Sequence, residues 1–476
     1  MAVDATTVRE ELDGGDARED FTANDGSIYA DVLDLLRDKV ALRSISSRGV
    51  GADHMRRSAE FVAAKMREAG VSDAHVVQSR NPDGTPGAFE VIGAKVVDPK
   101  LPTVMLYAHH DVVDVPDASE WDADPFTARI VDTRMFGRGA TDDGGGIAIH
   151  YGALRLLAAH PERFGCNVKL FFEGEEEVGS PSFIPFLSAH RDEFDCDAII
   201  VADSGNWDSV TPSLTTSLRG NTQLNVTVRV LRHPVHSGQF GGPIVDATTA
   251  AAMLIASMYD DGGDLVVPGL MAQDPVGGLQ RDLDPAQFRA DAGAVDSLRF
   301  AGTGSLASRD WTKPSVSVTG FDATPVDAAI NVIADSARFR LSVRTAPQQR
   351  PEDAQKAMAE FLTSHAPFGA EVSVEPLENG MGWAMDPDSK AVRLMETAMA
   401  EAFGVDPVNK GEGGSIPFIP ELQQLFPQAQ VIVTGPEDPQ ANAHSPNESV
   451  SLPLVKNGII AETLFLSRFG APGVLH

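Results

Sequence analysis

Residues Thr103–Asp111 read TVMLYAHHD. The first six form a short, mostly apolar run, which is typical of a strand buried inside a parallel sheet. Two histidines and an aspartate follow at once, where such a strand would end. Since ligands of open α/β sheets bind beyond the carboxyl ends of the strands, this stretch predicts an α/β fold and the edge of the sheet that carries a site.

Three further apolar runs end in the same way. They are Val168–Phe172 (VKLFF) followed by Glu173-Gly174-Glu175-Glu176-Glu177, Ala198–Val201 (AIIV) followed by Ala202-Asp203, and Gln430–Val433 (QVIV) with His444 farther along its loop. A lone histidine is usually structural, and an acidic run is usually a solvated turn. Four strand ends that each offer a histidine or a carboxylate instead predict one crevice. Carboxylates this close together need a cation to stay ionised.

The segment Gly137–Gly144 (GRGATDDG) adds a carboxylate at the start of a predicted helix. Its Gly-x-Gly spacing is weak evidence for a dinucleotide-binding loop. Asp142 and Asp143 would repel a pyrophosphate, so we reject that interpretation and assign Asp142 to the same crevice.

The pattern of strands and helices predicts two domains, as the length of 476 residues also favours. Helices are predicted over Ile28–Leu42 and Met55–Ala69, and short strands then alternate with helices. Between Asn221 and Val374 the order becomes β-α-β-β-α-β, that of a ferredoxin-like unit, with an insertion between Asp260 and Thr312. We therefore predict a discontinuous α/β domain with a mixed sheet between helices, residues 1–217 and 386–476, and an inserted ferredoxin-like α+β domain, residues 218–385.

Composition narrows the possible partners. The formal net charge of −30 argues against nucleic acid, because its binding needs a basic face. No run of about 18 apolar residues could span a bilayer, so we expect no membrane partner. The acidic segment Met1–Asp20 has no apolar core, so we expect no secretory signal. Cys166 and Cys196 have no zinc-type spacing and fit a reducing compartment, which predicts a cytoplasmic protein with His and carboxylate metal ligands.

Seven short motifs follow one another along the chain. They are His109-x-Asp111; Gly137-Arg138-Gly139-Ala140-x-Asp142; Glu173-Gly174-x-Glu176-Glu177-x-Gly179-Ser180; Asp203; His236-Ser237-Gly238; Gly413-Gly414-Ser415-Ile416-Pro417; and His444-Ser445-x-Asn447-Glu448. Together they resemble the M20 family of metallopeptidases over residues 30–465, and most of all its branch of cytosolic nonspecific dipeptidases and carnosinases. One departure is Gly144, where the family often has a lysine that is not a metal ligand.

The resemblance implies two zinc ions, and manganese or cobalt could occupy the same nitrogen and oxygen ligands. The ligands would be His109, Asp142 and Asp203 for one ion, and Asp142, Glu177 and His444 for the other. Asp142 would therefore bridge the two ions. Asp111 would fix the ring of His109, whereas His110 would be structural.

The resemblance also implies how a substrate is held and cleaved. Glu176 would be the general base that takes a proton from the attacking water and gives it to the leaving amine. Arg344 would grip the free carboxylate of the substrate, because its planar guanidinium can donate two parallel hydrogen bonds. Supporting contacts would come from Asn331, Gly414 and Ser415. His236 would reach into the site of the partner subunit of a homodimer and stabilise the oxyanion, which makes residues 218–385 a lid and dimerisation domain.

These implications predict a metal-dependent exopeptidase that hydrolyses dipeptides or very short peptides. An N-acyl-amino-acid deacylase would use the same metals and the same carboxylate clamp, so it stays open as an alternative. A catalytically silent, metal-bound binding protein is a second alternative. The base Glu176 disfavours it, because binding alone needs no such group beside the metals.

Overall fold

A computed structural model describes residues 3–14, 26–414, 416 and 418–473 of the chain. Its helices, in chain order, are α1 Ala5–Leu12, α2 Ile28–Ala41, α3 Asp53–Glu68, α4 Gly144–Ala159, α5 Phe183–Ala189, α6 Arg191–Phe194, α7 Ser237–Phe240, α8 Ala247–Ala256, α9 Pro285–Asp291, α10 Leu306–Trp311, α11 Pro351–Ser364, α12 Lys390–Phe403, α13 Phe418–Leu425 and α14 Leu452–Arg468. Its strands are β1 His75–Arg80, β2 Pro86–Lys95, β3 Thr103–His109, β4 Arg129–Val131, β5 Arg134–Phe136, β6 Asn167–Glu173, β7 Ala198–Val201, β8 Ser213–Leu218, β9 Gly220–Arg229, β10 Val235–His236, β11 Ser315–Asp322, β12 Val332–Ile333, β13 Ser336–Thr345, β14 Glu371–Gly380, β15 Trp383–Ala384, β16 Val408–Glu412, β17 Gln430–Val433 and β18 Ser449–Ser451.

The chain divides into two units. Unit 1 comprises Met1–Thr215, Met385–Lys410 and Glu421–His476, and unit 2 comprises Thr216–Ala384 and Gly411–Pro420. The second segment of unit 2 lies inside the range 386–476, which the sequence assigned to the α/β domain. One contact that binds this segment into unit 2 is a hydrogen bond of 3.0 Å from Arg219 Nε to Gly413 O.

Unit 1 contains a mixed sheet in which the strands follow the order β1, β2, β6, β3, β7, β17 and β8. The four predicted apolar runs are β3, β6, β7 and β17, and they are parallel neighbours. β2 pairs antiparallel with β1 and β6, and β8 pairs antiparallel with β17. All residues of β3 from Val104 to His109 are buried. The predicted α/β class and mixed sheet are confirmed, and the carboxyl ends of the parallel strands meet at one edge.

The helices of unit 1 include those predicted at Ile28–Leu42 and Met55–Ala69, which are α2 and α3. Helix α1 has no counterpart among the predicted elements. Helix α4 packs against α2 and α14, and α14 packs against α12. Among the described residues, no helix combines the length and the apolarity that crossing a membrane requires.

A three-stranded sheet in unit 1 joins two loops that are far apart in sequence. β5 pairs antiparallel with β4 on one side and with β18 on the other. In this register Val450 lies opposite Met135. The sheet thus ties the segment after β5, which contains Gly137–Gly144, to the segment before β18, which contains His444.

Unit 2 contains a four-stranded antiparallel sheet in the order β11, β13, β9 and β14. Helix α8 follows β9 and α11 follows β13, so the predicted ferredoxin-like order is confirmed. Alternate residues of the two central strands fill the core together with α8 and α11, among them Leu224, Val226, Phe339, Leu341 and Leu362. This period-two burial is the pattern of a sheet covered on one face.

Candidate metal centre and active site

The site of unit 1 begins where two parallel strands end side by side. His109 is the last residue of β3, and it pairs with Glu173, the last residue of β6. After β6 the chain makes a short 3-10 turn, Glu176–Val178, which Gly179 closes with a φ of 89°. The turn brings Glu176 and Glu177 beside the strand that carries His109.

Asp111 connects that turn to the ring of His109. Its Oδ1 accepts a hydrogen bond from Glu176 N at 3.2 Å, and its Oδ2 accepts one from Glu177 N at 3.0 Å. The same Oδ1 lies 3.3 Å from His109 Nδ1. The buried Asp111 carboxylate therefore orients a histidine and two glutamates at once. His110 instead binds β2, since its Nε2 lies 2.6 Å from Phe89 O.

Two groups of possible ligand atoms share Asp142. His109, Asp142 and Asp203 offer atoms that lie within 4.8 Å of one another, and so do Asp142, Glu177 and His444. His109 Nε2 lies 2.9 Å from Asp142 Oδ1, while His444 Nε2 lies 2.8 Å from Asp142 Oδ2. Each oxygen of Asp142 therefore faces a different group, which is the arrangement that a bridging ligand needs. The structure brings all five predicted metal ligands together.

The imidazoles and carboxylates of this site shift one another's pKa values. Burial lowers the pKa of His109, but the neighbouring carboxylates of Asp111 and Asp142 outweigh burial and raise it well above 6.5. Hydrogen bonds with Asp142 and Glu177 raise the pKa of His444 to about 11. A divalent cation competes with these protons for the ring nitrogens, so metal binding here must release protons.

Glu176 has an environment suited to proton transfer. Burial is the main cause that raises the pKa of Glu176 to about 8; His109 opposes the shift, and the carboxylates of Glu177 and Glu173 add to it. A carboxyl group with a pKa near neutrality can both accept and release a proton at that pH. Burial also raises the pKa of Asp203, with the nearby Asp142 carboxylate adding to the effect and His109 opposing it.

The residues present fit divalent cations. Glu177 Oε2 lies 3.0 Å from His444 Nε2, but Glu177 Oε1 is buried and has no hydrogen-bond partner within the described residues. A buried carboxylate oxygen without a partner is costly unless a cation or a proton satisfies it. Imidazole nitrogen and carboxylate oxygen are the ligands of zinc sites and also suit manganese and cobalt.

Two carboxylates without a predicted role hold the ligands in place. Asp143 Oδ2 accepts a hydrogen bond from His109 N at 3.2 Å, and its Oδ1 caps α4 at Gly146 N, 3.0 Å away. Glu448 accepts hydrogen bonds from the N–H groups of Thr141 and Asp142. Sequence reasoning missed both roles, because most of the donors to these carboxylates are backbone N–H groups, which give no signal in the sequence.

The structure explains the departure at Gly144. A Cβ atom at this position would lie 2.3 Å from Gly139 O, so a side chain does not fit. The same Cβ would lie 3.5 Å from Cγ of Lys39, which reaches this place from α2. Burial lowers the pKa of Lys39 to about 8, and the carboxylates of Asp111 and Asp143 oppose the shift. Lys39, from a distant part of the chain, thus places an amino group near the carboxylates of Asp111 and Asp143.

Two of the predicted residues in unit 2 are neighbours at the exposed ladder of β10 and β12. His236 lies opposite Val332, and its Nδ1 accepts a hydrogen bond from Gly238 N at 3.1 Å. Asn331 directly precedes β12, and its carbonyl oxygen accepts a hydrogen bond from Ser237 N at 3.1 Å. Both His236 and Asn331 are exposed, so their side chains are accessible from outside unit 2.

The other predicted substrate residues belong to β13 and to the glycine-rich segment after β16. Arg344 is half-buried on β13, opposite Ser315 of β11, and Gly414 is exposed. Ser415 lies outside the described residues. Within unit 2, the structure therefore brings His236 and Asn331 together, whereas Arg344 and Gly414 lie on separate elements.

The insertion between Asp260 and Thr312 forms α9 and α10 and packs on the glycine-rich segment. A Cβ at Gly411 would lie 2.5 Å from Cβ of Trp311, and a Cβ at Gly413 would lie 2.9 Å from Asp310 Oδ1. The end of the insertion thus contacts the strand that leads to Gly414. The sequence predicted no role for it.

The fold and the two ligand groups define a candidate two-metal enzyme of the α/β class with a ferredoxin-like second unit. The family model described as Peptidase family M20/M25/M40 matches residues 105–468. The chain therefore belongs to this peptidase family, as its motifs predicted.

The chain is similar to dipeptidases along nearly its whole length. A cysteinylglycine-S-conjugate dipeptidase of Corynebacterium striatum is 33% identical over 426 residues, which are 88% of this chain and 91% of that protein. A beta-Ala-His dipeptidase of Rattus norvegicus is 27% identical over 439 residues, 88% of each protein. The solved structure of the di-peptidase Dug1p from Saccharomyces cerevisiae has a TM-score of 0.74 at 22% identity and covers 99% of this chain and 100% of that one. The predictions of fold, family and enzyme class are confirmed: the chain is a metallopeptidase of the dipeptidase branch.

Proposed function

We propose that this chain hydrolyses the peptide bond of dipeptides and other very short peptides at a site that holds two zinc ions. The observation that carries this proposal is the position of Asp142, whose two oxygens face His109 and His444 in two ligand groups. Similarity to a cysteinylglycine-S-conjugate dipeptidase and to a beta-Ala-His dipeptidase supports small peptides as the substrate class.

The division of work among the site residues follows from their chemistry. Two divalent cations held by these ligands would supply the Lewis acidity that activates water and polarises the scissile carbonyl. Glu176 takes up the proton that the attacking water loses and delivers it to the leaving amine. Asp111 fixes the relative positions of Glu176 and the ring of His109 for this transfer. Its Oδ1 accepts a hydrogen bond from Glu176 N and lies 3.3 Å from His109 Nδ1.

We also propose which residues contact the substrate. Arg344 binds the free carboxylate of the peptide through its planar guanidinium. Asn331, Gly414 and Ser415 support the bound substrate. This clamp would restrict the enzyme to short peptides with a free carboxyl terminus.

We propose further that the enzyme is a cytoplasmic homodimer in which His236 of the partner subunit stabilises the oxyanion. The segment from β11 to β12 supports the dimer, because large apolar side chains stand exposed along it: Val318 at 43%, Val326 at 90%, Ile330 at 77% and Val332 at 40%. A contiguous exposed apolar surface often marks a site of association. The buried free thiols of Cys166 and Cys196 support a reducing compartment.

The test compares three matched substrates before and after metal removal. The protein is stripped with a chelator, its metal content is measured, and Zn²⁺, Mn²⁺ or Co²⁺ is added back. We expect metal-dependent hydrolysis of a free dipeptide and slow hydrolysis of the same dipeptide with an amidated carboxyl terminus. Faster hydrolysis of an N-acetyl amino acid than of any dipeptide would favour a deacylase, and full activity of the stripped protein would contradict the proposal.

A further inference from the structure

Glu448 is a fully buried carboxylate that stands behind the ligand loop of unit 1. Its Oε2 accepts hydrogen bonds from Arg138 Nη1 at 2.6 Å and from Gly139 N at 3.0 Å. Its Oε1 accepts hydrogen bonds from Thr141 N at 3.0 Å and from Asp142 N at 3.2 Å. Four donors therefore converge on one carboxylate, and one of them is the backbone of the shared ligand Asp142.

The backbone of Glu448 also connects the segment before β18 to the segment after β5. Its carbonyl oxygen accepts a hydrogen bond from Gly137 N at 2.9 Å, and the next residue begins β18, which pairs with β5. Glu448 thus accepts hydrogen bonds from the loop Gly137–Asp142 with both its main chain and its side chain.

His444 lies only four residues before Glu448, in a loop with an unusual backbone. His444 has a φ of 61° and Asn447 has a φ of 59°, both in the left-handed region. Residues other than glycine occupy this region at a cost and remain there when surrounding contacts hold them. The Glu448 carboxylate supplies such contacts at the end of the loop that carries His444.

We propose that Glu448 is a positioning residue that sets the span between Asp142 and His444 and so completes the ligand group of Asp142, Glu177 and His444. This inference rests on the proposed two-metal function. A carboxylate suits the role because the four groups hydrogen-bonded to it are donors, whereas an amide would turn an NH₂ group towards N–H groups and lose hydrogen bonds. The ligand group of His109, Asp142 and Asp203 depends less on Glu448, since β3 and β7 position His109 and Asp203 independently.

The chain offers a matched control in the neighbouring pair of Arg134 and Asp438. Arg134 Nη1 and Nη2 donate to the Asp438 carboxylate at 2.7 and 2.9 Å, and Asp438 is also buried. This pair joins the segment of β5 to the segment before β18, and within the described part of the chain Arg134 donates to Asp438 and Ser449 and to no predicted metal ligand. Asp438→Asn therefore reproduces the loss of a buried Arg–carboxylate pair without touching the Asp142 loop.

The test measures Zn²⁺ and Co²⁺ binding to Glu448→Gln, Asp438→Asn and the unmodified protein, by titration calorimetry and by metal analysis after dialysis. For Glu448→Gln we expect about 10–100-fold weaker binding at one of the two sites, the magnitude typical when a group that orients a ligand is lost. The Co²⁺ absorption spectrum should change in Glu448→Gln and stay unchanged in Asp438→Asn. If Glu448→Gln does not fold, Glu448→Asp carries the test, because it keeps the charge but falls one carbon short of Thr141 N and Asp142 N.

Three outcomes separate this inference from the proposed function. Selective weakening of one site in the Glu448 variant supports the inference. Unchanged affinities and spectrum in a folded Glu448 variant would overturn it and reduce Glu448 to a structural residue. Failure of the unmodified protein to bind two ions would instead overturn the proposed function.

Discussion

Glu176 and Glu177 are neighbours in sequence but face different surroundings. Glu177 Oε2 lies 3.0 Å from His444 Nε2 and belongs to a ligand group, whereas Glu176 belongs to neither group. The backbone N–H groups of both bind Asp111, so the turn itself is fixed while the two side chains diverge in role. This difference supports the division that we propose, with proton transfer at Glu176 and metal binding at Glu177.

We expect Glu176→Gln to keep both metals and lose most of its turnover, because general base catalysis contributes about 10²–10⁴-fold. Glu177→Gln should instead lose metal, since an amide is a weaker ligand than a carboxylate. Metal content and kcat of the two purified variants measure this division directly.

Glu175→Gln is the control for these two variants. Glu175 is buried, and its Oε1 accepts hydrogen bonds of 2.6 Å from the backbone N and the Oγ of Ser182. Its replacement should lower thermal stability and leave metal content unchanged. Metal loss in Glu176→Gln with retention in Glu177→Gln would reverse the roles that we assign.

Among the residues that sequence could identify without the family motifs, most follow buried strands. His109, Asp203 and the acidic run after β6 stand at strand ends, and strands are visible as apolar runs. Glu448 and Asp143 could not be identified in this way, because they act on backbone N–H groups of chain segments that only the fold brings near. Lys39 gives no signal either, since it is one lysine in an amphipathic helix.

At the scale of elements, α4 and α14 are joined by a buried ionic pair. His150 Nδ1 lies 2.9 Å from both carboxylate oxygens of Glu462, and His150 Nε2 lies 3.1 Å from Tyr107 O. Both ring nitrogens face acceptors, an arrangement that favours the protonated ring because it can donate to both. Burial lowers the pKa of His150, but the charge of Glu462 and these hydrogen bonds outweigh burial and raise it above 6.5.

The sign of the pH dependence follows from this raised pKa. The pair stabilises the fold fully below pH 6.5, and its contribution falls as the pH rises through the raised pKa of His150. Glu462→Gln should therefore lower the free energy of unfolding by about 3–5 kcal/mol in acid, the cost of breaking a buried ion pair. The difference from the unmodified protein should shrink with rising pH, as denaturant titrations at several pH values would reveal.

His160→Gln provides the control, because His160 lies at the end of the same helix in a partly exposed pair. Its Nε2 lies 3.3 Å from Glu11 Oε1, and the two side chains are 34% and 26% exposed. Exposed pairs contribute less, about 0–1 kcal/mol, so the change should be small. A destabilisation in Glu462→Gln that stayed constant across pH would show that His150 is not the charged partner.

Periodicity identified the long elements and missed the short ones. Burial alternates along β9 and β13, and apolar residues recur at helical spacing in α2 and α3. Strands β4, β5 and β18 have only three residues each, too few for a period, yet they join the loops that carry Asp142 and His444. The contact of α10 with Gly411 could not be predicted from the sequence either, because it depends on how closely Trp311 packs against a residue without a side chain.

At the scale of the whole molecule, the exposed position of His236 bears on whether each chain works alone. His236 is exposed on the ladder of β10 and β12, next to Val332, which is itself 40% exposed. An exposed histidine beside exposed apolar side chains suits a role at a subunit interface, where association would bury both. We therefore expect a homodimer in solution, which sedimentation or light scattering measures.

We expect His236→Ala to lower kcat by about 10²–10³, the loss typical of removing one oxyanion donor, and to leave metal content unchanged. His233→Ala is the control: His233 is also exposed and lies three residues away, so its replacement should leave kcat unchanged. Mixing His236→Ala with Glu176→Gln under conditions of subunit exchange should then restore activity. In each mixed dimer, one site combines an intact Glu176 with an intact His236 of the partner subunit. A mixture of His236→Ala with a chain that carries both His236→Ala and Glu176→Gln should stay inactive, because no intact His236 is present. A fully active monomer, or no recovery despite proven exchange, would mean that each chain supplies its own complete site.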